Sequence, residues 1–166
     1  MEHYDDNMLM KDALLQFFQK FGIPQDAYSA TSFVIRVGKW PVHVPNTKSR
    51  VYIAKYHDLH HIVTGYPANW KGEAEIGAWE LVTGCRTSFI AWFLNSGAVL
   101  VGLFLYPKAV VRAFQRGKST TTNLYHDFDY AQLLDMTVQQ VKVLIGLAGH
   151  KYQGNGVVGG VDNDRR

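Results

Sequence analysis

The chain has 166 residues, 19% of them charged and 13% aromatic, with a formal net charge of +3. That length suits one domain able to bury a core without staples, and so slight a positive charge argues against a nucleic-acid-binding role. Cys85 stands alone, so an intrachain disulfide is excluded and the reducing interior of a cell is the expectation.

The first residues carry Glu2, Asp5, Asp6 and Asp12. They read as neither a secretory signal nor an organellar transit peptide, the latter being poor in acidic residues. Asp5-Asp6-Asn7 offers N-caps for a helix over 8–21 with an apolar stripe of Leu14, Leu15, Phe17, Phe18 and Phe21, stopped by Gly22 and Pro24. Two short strands follow, 33–37 and 40–44, joined through Gly38-Lys39 as a tight hairpin. Pro41 confines the second strand to an edge.

After a loop with capping residues at 45–49, a helix is expected over 50–64, closed by Gly65. Trp70 to Thr83 is the next, closed by Gly84 and carrying Glu73, Glu75, Trp79 and Glu80. Glu73 and Glu80 are two turns apart, so both could face the preceding helix; Glu73 is the expected ligand, while Glu75 and Glu80 read as solvated charges. Thr87 to Tyr106 is twenty residues without a charge, flanked by Arg86 and Lys108. That is long enough to cross a bilayer, but Asn95-Ser96-Gly97 at its centre favours a buried central helix bent at Gly97. Its apolar side chains, Trp92 and Leu100 among them, would line a slot for a hydrocarbon ligand.

Pro107 opens another helix to Arg116, with Gly117 as its cap. Arg112, Arg116 and Lys118 cluster at its end as ordinary dipole partners. Asp129 caps a short helix over 130–135, and Thr137-Val138-Gln139-Gln140 is a capping-box pattern opening the last helix to about Leu147. From Gly149 the chain is rich in Gly and polar residues and reads as flexible. The expected architecture is mainly α: a single-domain helical bundle over 1–148 with a small N-terminal β-hairpin, and a flexible tail over 149–166.

The chemistry concentrates in Tyr56-His57-Asp58-Leu59-His60-His61, with Glu73 beyond it. On a helix, His57 and His61 lie one turn apart on one face, the spacing by which two helical imidazoles grip one metal ion. Asp58 points about 100° away from His57, so it joins the ion from the edge of that face or orients a ligand. Glu73 reaches in from the next helix across the Gly65-Tyr66-Pro67 turn. A histidine on a helix is most often a core or surface residue with a satisfied ring. Burying two of them beside carboxylates without a shared ligand, however, costs desolvation energy. His60 sits off this face as a solvent-facing or supporting residue.

His57-Asp58-x-x-His61, eleven intervening residues and Glu73 resemble the signature of the fourth coenzyme Q (ubiquinone) biosynthesis protein family, called Coq-four here. Ala113-Phe114-Gln115-Arg116-Gly117, Asp127-Phe128-Asp129-Tyr130 and Ile145-Gly146-Leu147 are similar to that family's C-terminal half. The resemblance implies a mainly helical bacterial protein, cytoplasmic and peripheral to the inner membrane. It implies a divalent metal ion held by His57, Asp58, His61 and Glu73; two nitrogens and two carboxylate oxygens suit zinc foremost, with iron, manganese and magnesium as alternatives. It implies a polyprenylated or other isoprenoid lipid as partner, with a homo-oligomer or a biosynthetic complex as the assembly. The activity it implies is replacement of the ring carboxyl at C1 of a polyprenylated aromatic precursor, an oxidative decarboxylation, or organisation of the biosynthetic complex.

Two rival readings use the same residues. A His-Asp pair also marks HD-type phosphohydrolases, with His43 and Asp127 or Asp129 completing the site. The other rival is a non-catalytic isoprenoid-binding scaffold with a structural metal. A zinc protease is weaker, because Asp58 replaces the longer Glu base such sites use.

Overall fold

The computed structural model describes residues 1–37, 39–85, 89–126 and 128–147. The expected turn glycine Gly38, Arg86 and Thr87 at the head of the apolar segment, Asp127 and the tail from residue 148 lie outside the described residues. The fold is mainly helical. Its elements are α1 (Met10–Phe21), β1 (Ser32–Val37), β2 (Trp40–Pro45), α2 (Lys48–Thr64), α3 (Trp70–Thr83), α4 (Phe89–Leu105), α5 (Pro107–Lys118), α6 (Tyr130–Asp135) and α7 (Val138–Leu144).

Helix α1 starts two residues later than the Asp5-Asp6-Asn7 caps suggest, with Leu9 at the cap and no side-chain bond there. A backbone bridge takes the cap's place. Met10 N–H donates to the Met136 carbonyl at 2.8 Å, and Val138 N–H donates to that of Met8 at 2.9 Å. The segments leading into α1 and α7 are thereby tied before either helix begins. Leu15 is exposed, and the buried stripe is Met10, Ala13, Phe17 and Phe18. Strands β1 and β2 pair antiparallel from Ser32–Pro45 to Val37–Trp40, the hairpin expected from sequence.

Helix α2 is capped by the Thr47 hydroxyl, which accepts from Arg50 N–H, and ends on Gly65 in the left-handed region at φ 74°. A side chain at residue 65 would be strained, and a Cβ there would also sit 2.4 Å from the Glu2 carbonyl. Helix α3 matches its expected bounds, with the Asn69 side chain accepting from Gly72 N–H. It lies against α4 and α5 and next to α2, so it is buried nearly all round and shows no single apolar stripe. Trp79 is at the centre of the core with Phe17, Leu59, Ile76 and Tyr125.

The apolar segment is not a buried central helix. Ala91, Asn95 and Gly102 turn inward, while Phe89, Phe93, Leu100 and Phe104 are exposed, Phe104 by 88%. The reason is the side-chain pattern: small residues at 91, 95, 98 and 102 recur at helical spacing and form the stripe that packs on α3. Helical structure continues through Gly97. Among the described residues no helix is long and apolar enough to cross a membrane. Helix α5 runs through Gly117 to Lys118 rather than stopping at it, and the glycine is needed for packing instead: a Cβ there would meet Val82 and the Trp79 carbonyl. The Asp129 cap of α6 and the Thr137–Gln140 capping box of α7 are both present.

Candidate metal centre

His57 and His61 sit one turn apart on α2 and face Glu73, which the turn over residues 65–69 places in the first turn of α3. The two Nε2 atoms are 3.1 Å apart. Glu73 Oε2 is 3.3 Å from His57 Nε2, and Oε1 is 3.3 Å from His61 Nε2. Among the described residues these three offer ligand atoms that all lie within 4.8 Å of one another.

The other face of each ring is committed. His57 Nδ1–H donates to Glu80 Oε1 at 2.9 Å, and His61 Nδ1–H donates to the Tyr66 carbonyl at 2.8 Å. A carboxylate and a carbonyl can only accept, so each ring keeps its proton on Nδ1 and presents Nε2 to the shared point. Phe17 stacks on the His61 ring at 5.3 Å. Arg116 braces the turn behind it, donating to the Thr64 carbonyl at 2.7 Å with its guanidinium 5.3 Å from the Tyr66 ring. Arg116 is thus a strut under His61 rather than a plain dipole partner.

Asp58 is placed differently. Its Oδ2 accepts from the Tyr28 hydroxyl at 2.5 Å, and the three-residue cluster does not include it. Burial pushes the Asp58 carboxyl up, against the pull of His57 and the Tyr28 hydroxyl. His60 is fully buried and not solvent-facing. Its Nδ1–H donates to Glu80 Oε1 at 2.6 Å, while Nε2 accepts from Leu124 N–H at 2.9 Å. With one nitrogen accepting, the ring is neutral, and burial lowers its pKa despite Glu80. His43 is exposed on β2 and Asp129 caps α6, so neither joins the cluster.

Glu80, expected as a solvated charge, is instead buried behind the His57 ring. It is 0% exposed and accepts from His57, His60, Asn95 Nδ2 at 2.6 Å and Tyr125 hydroxyl at 3.0 Å. Glu75, also read as solvated, is nearly buried and 3.9 Å from Lys71. The spacing of Glu73 and Glu80, two helical turns, was the available signal that both face α2.

Burial alone would raise the Glu73 and Glu80 carboxyls. His61 and His57 at Glu73, and His57 and His60 at Glu80, hold both well below the usual carboxylate range. Burial pulls the His57 imidazole down, but Glu80 and Glu73 outweigh it and hold the ring well above its ordinary value. The donor set fits a divalent cation. The two imidazole nitrogens lie 3.1 Å apart, and each has a different oxygen of the Glu73 carboxylate at 3.3 Å. A tetrahedral ion with centre-to-ligand distances of about 2.0–2.1 Å has edges of about 3.3 Å, close to the separation of the two nitrogens.

Two clefts meet at this point. One, of about 550 Å³, runs under α4 past Ile53, Ala91, Leu94 and Val101. The other, of about 910 Å³, lies between the α1–β1 connection and α2, with Asp26, Tyr28 and Asp58 in its wall. Both are bounded by Arg50, Ala54, His57, Trp70 and Glu73. Comparison of the chain with protein-family models, with curated proteins and with solved structures finds no match.

Proposed function

We propose that the protein holds a divalent cation through His57, His61 and Glu73 and binds the polar head of an isoprenoid-like molecule beside it, as the resemblance to the Coq-four family implies. The observation that carries this reading is that two of the converging trio, His57 and Glu73, line an apolar cleft. A hydrocarbon chain laid under α4 gains about 25 cal/mol for each Å² of apolar surface removed from water. Its head then rests at His57 and Glu73, where the second cleft adds the polar groups of Arg50, Tyr28 and Asp58.

A cation held there supplies Lewis acidity toward a ring-bound carboxylate or carbonyl and, if it is iron, redox chemistry. The residues around it do the rest. Glu73 and the two Nε2 atoms bring the negative charge and lone pairs, Glu80 and the Tyr66 carbonyl hold the rings in one orientation, and the apolar wall keeps water from the chain. Reaction at C1 of a polyprenylated aromatic precursor, in prenylquinone biosynthesis, is the chemistry this arrangement suits.

The exposed aromatic face of α4 and the neighbouring α5, with Lys108, Arg112 and Lys118, support peripheral attachment to an anionic membrane surface. From residue 81 to residue 126 the sequence holds no Asp or Glu, so that surface would meet no repulsion from this stretch. Protein purified without added ions tests the reading: one divalent cation per chain by elemental analysis, with a prenylated lipid by mass spectrometry, is expected. Protein carrying neither contradicts it. Anaerobic single-turnover assays with iron-loaded and zinc-loaded protein separate redox from Lewis-acid chemistry, and equal conversion by both excludes the redox version.

A further inference from the structure

Glu80 is held by four donors from three separate stretches of chain. His57 and His60 come from α2, Asn95 from α4 and Tyr125 from the segment before α6. Such a carboxylate is costly to bury unless every lone pair is used. Here Oε1 takes the two histidine N–H groups and Oε2 takes the amide and the phenol. The backing is itself fixed. His60 is locked between Glu80 and Leu124 N–H, and Asn95 also faces Cys85 Sγ at 3.4 Å.

We infer that Glu80 is a positioning residue, which holds the His57 ring with Nε2 turned to the cation and ties that ring to the wall of the apolar cleft through Asn95 and Tyr125. This rests on the proposed cation site and adds to it a fourth residue from outside the motif. Both Asn95 and Tyr125 line the cleft under α4, so one carboxylate sets the ligand ring and two of the side chains a bound hydrocarbon would touch. A carboxylate behind a ligating imidazole fixes its tautomer and raises its basicity, and its loss typically costs about 10–100-fold in metal affinity.

The test is a cobalt(II) titration of the full chain followed by absorption, with circular dichroism as the control for folding and proton NMR of the zinc-loaded form. Wild type should bind one cobalt(II) and show a downfield, exchange-protected imidazole N–H from His57. Glu80→Gln, nearly isosteric but uncharged, should stay folded, bind cobalt(II) at least about tenfold more weakly and lose that downfield resonance. Tyr125→Phe, which keeps the ring and removes one of the four donors, should weaken cobalt(II) severalfold and decides the matter if Glu80→Gln does not fold. Folded variants that bind cobalt(II) as wild type does overturn the positioning role and leave the cation site standing. A wild type that takes up no cobalt(II) overturns the cation site, and the positioning role with it.

Discussion

His57 and His61 turn their Nε2 atoms toward each other across 3.1 Å, and neither ring can rotate that nitrogen away without breaking the bond its Nδ1–H makes to Glu80 or to the Tyr66 carbonyl. Two neutral rings so fixed would set lone pair against lone pair. A positive centre between them would resolve the conflict, and the proposed divalent cation is such a centre. Glu73, 3.3 Å from both nitrogens, supplies the compensating charge.

Glu73→Gln removes that charge and leaves the side chain's size. Glu73 is partly exposed in the first turn of α3, so the variant should keep its circular dichroism spectrum. It should lose more cobalt(II) affinity than the about 10–100-fold typical of a residue that only supports a ligand. Loss of folding instead would mark the cation as a structural one and favour the scaffold reading over catalysis.

The pH dependence of the metal-free protein follows from the carboxylates and His57. The Glu73 and Glu80 pKa values are depressed by folding. Their stabilisation is present above the unfolded value of about 4.3 and fades as pH falls through the folded values. That of His57 is raised, so its contribution is complete below about pH 6.5 and fades as pH rises through the folded value. His60, lowered by burial, acts the other way and loses its contribution as pH falls below about 6.5, so metal-free protein should melt highest near about pH 6.5. Because protons and metal compete for the same nitrogens, the rise in Tm on adding zinc should grow from about pH 5.5 to about pH 8. Scanning calorimetry with and without zinc reads both, and a zinc increment that is flat with pH speaks against ligation by His57 and His61.

The proposed membrane attachment would divide between two helices. Phe93→Ser with Phe104→Ser, both on the exposed face of α4, should lower binding to anionic and neutral vesicles alike. Replacing Lys108 and Arg112 by Ala should weaken only anionic-vesicle binding, by about 1 kcal/mol per charge, and the difference should vanish in high salt. Co-sedimentation measures each. Equal losses on both vesicle types from the charge variants would remove the electrostatic part.

Gly102→Ala tests the close approach of α3 and α4. In an open helix, Ala for Gly gains about 0.8–1 kcal/mol. Here a Cβ would sit 2.3 Å from Ala74 Cβ and 2.9 Å from Val110 Cγ2, an overpacking that costs about 1–3 kcal/mol. Urea unfolding should show net destabilisation. A stabilised variant would mean that the two helices have room to part.

The features legible in the sequence are those with local causes. The Asp129 cap, the Thr137–Gln140 capping box and the i, i+4 spacing of His57 and His61 depend on residues within one turn of each other, so spacing alone places them. Glu73 needed only the short turn between α2 and α3. Asp58 turns to Tyr28, thirty residues earlier in an irregular connection, and no periodicity announces that bond. The role of Glu80 depends on Asn95 and Tyr125, which only the packed fold brings near. The apolarity of α4 was plain, but not what it faces. The small residues at 91, 95, 98 and 102 were the visible sign that only one stripe is buried.

The cation between α2 and α3 is the central claim, and isothermal titration of zinc into chelator-treated wild type and His61→Ala tests it most directly. One zinc per wild-type chain, with proton release on binding and no saturable site in His61→Ala, is the predicted result. A wild type that binds no zinc, or an alanine variant that binds it equally well, contradicts the claim.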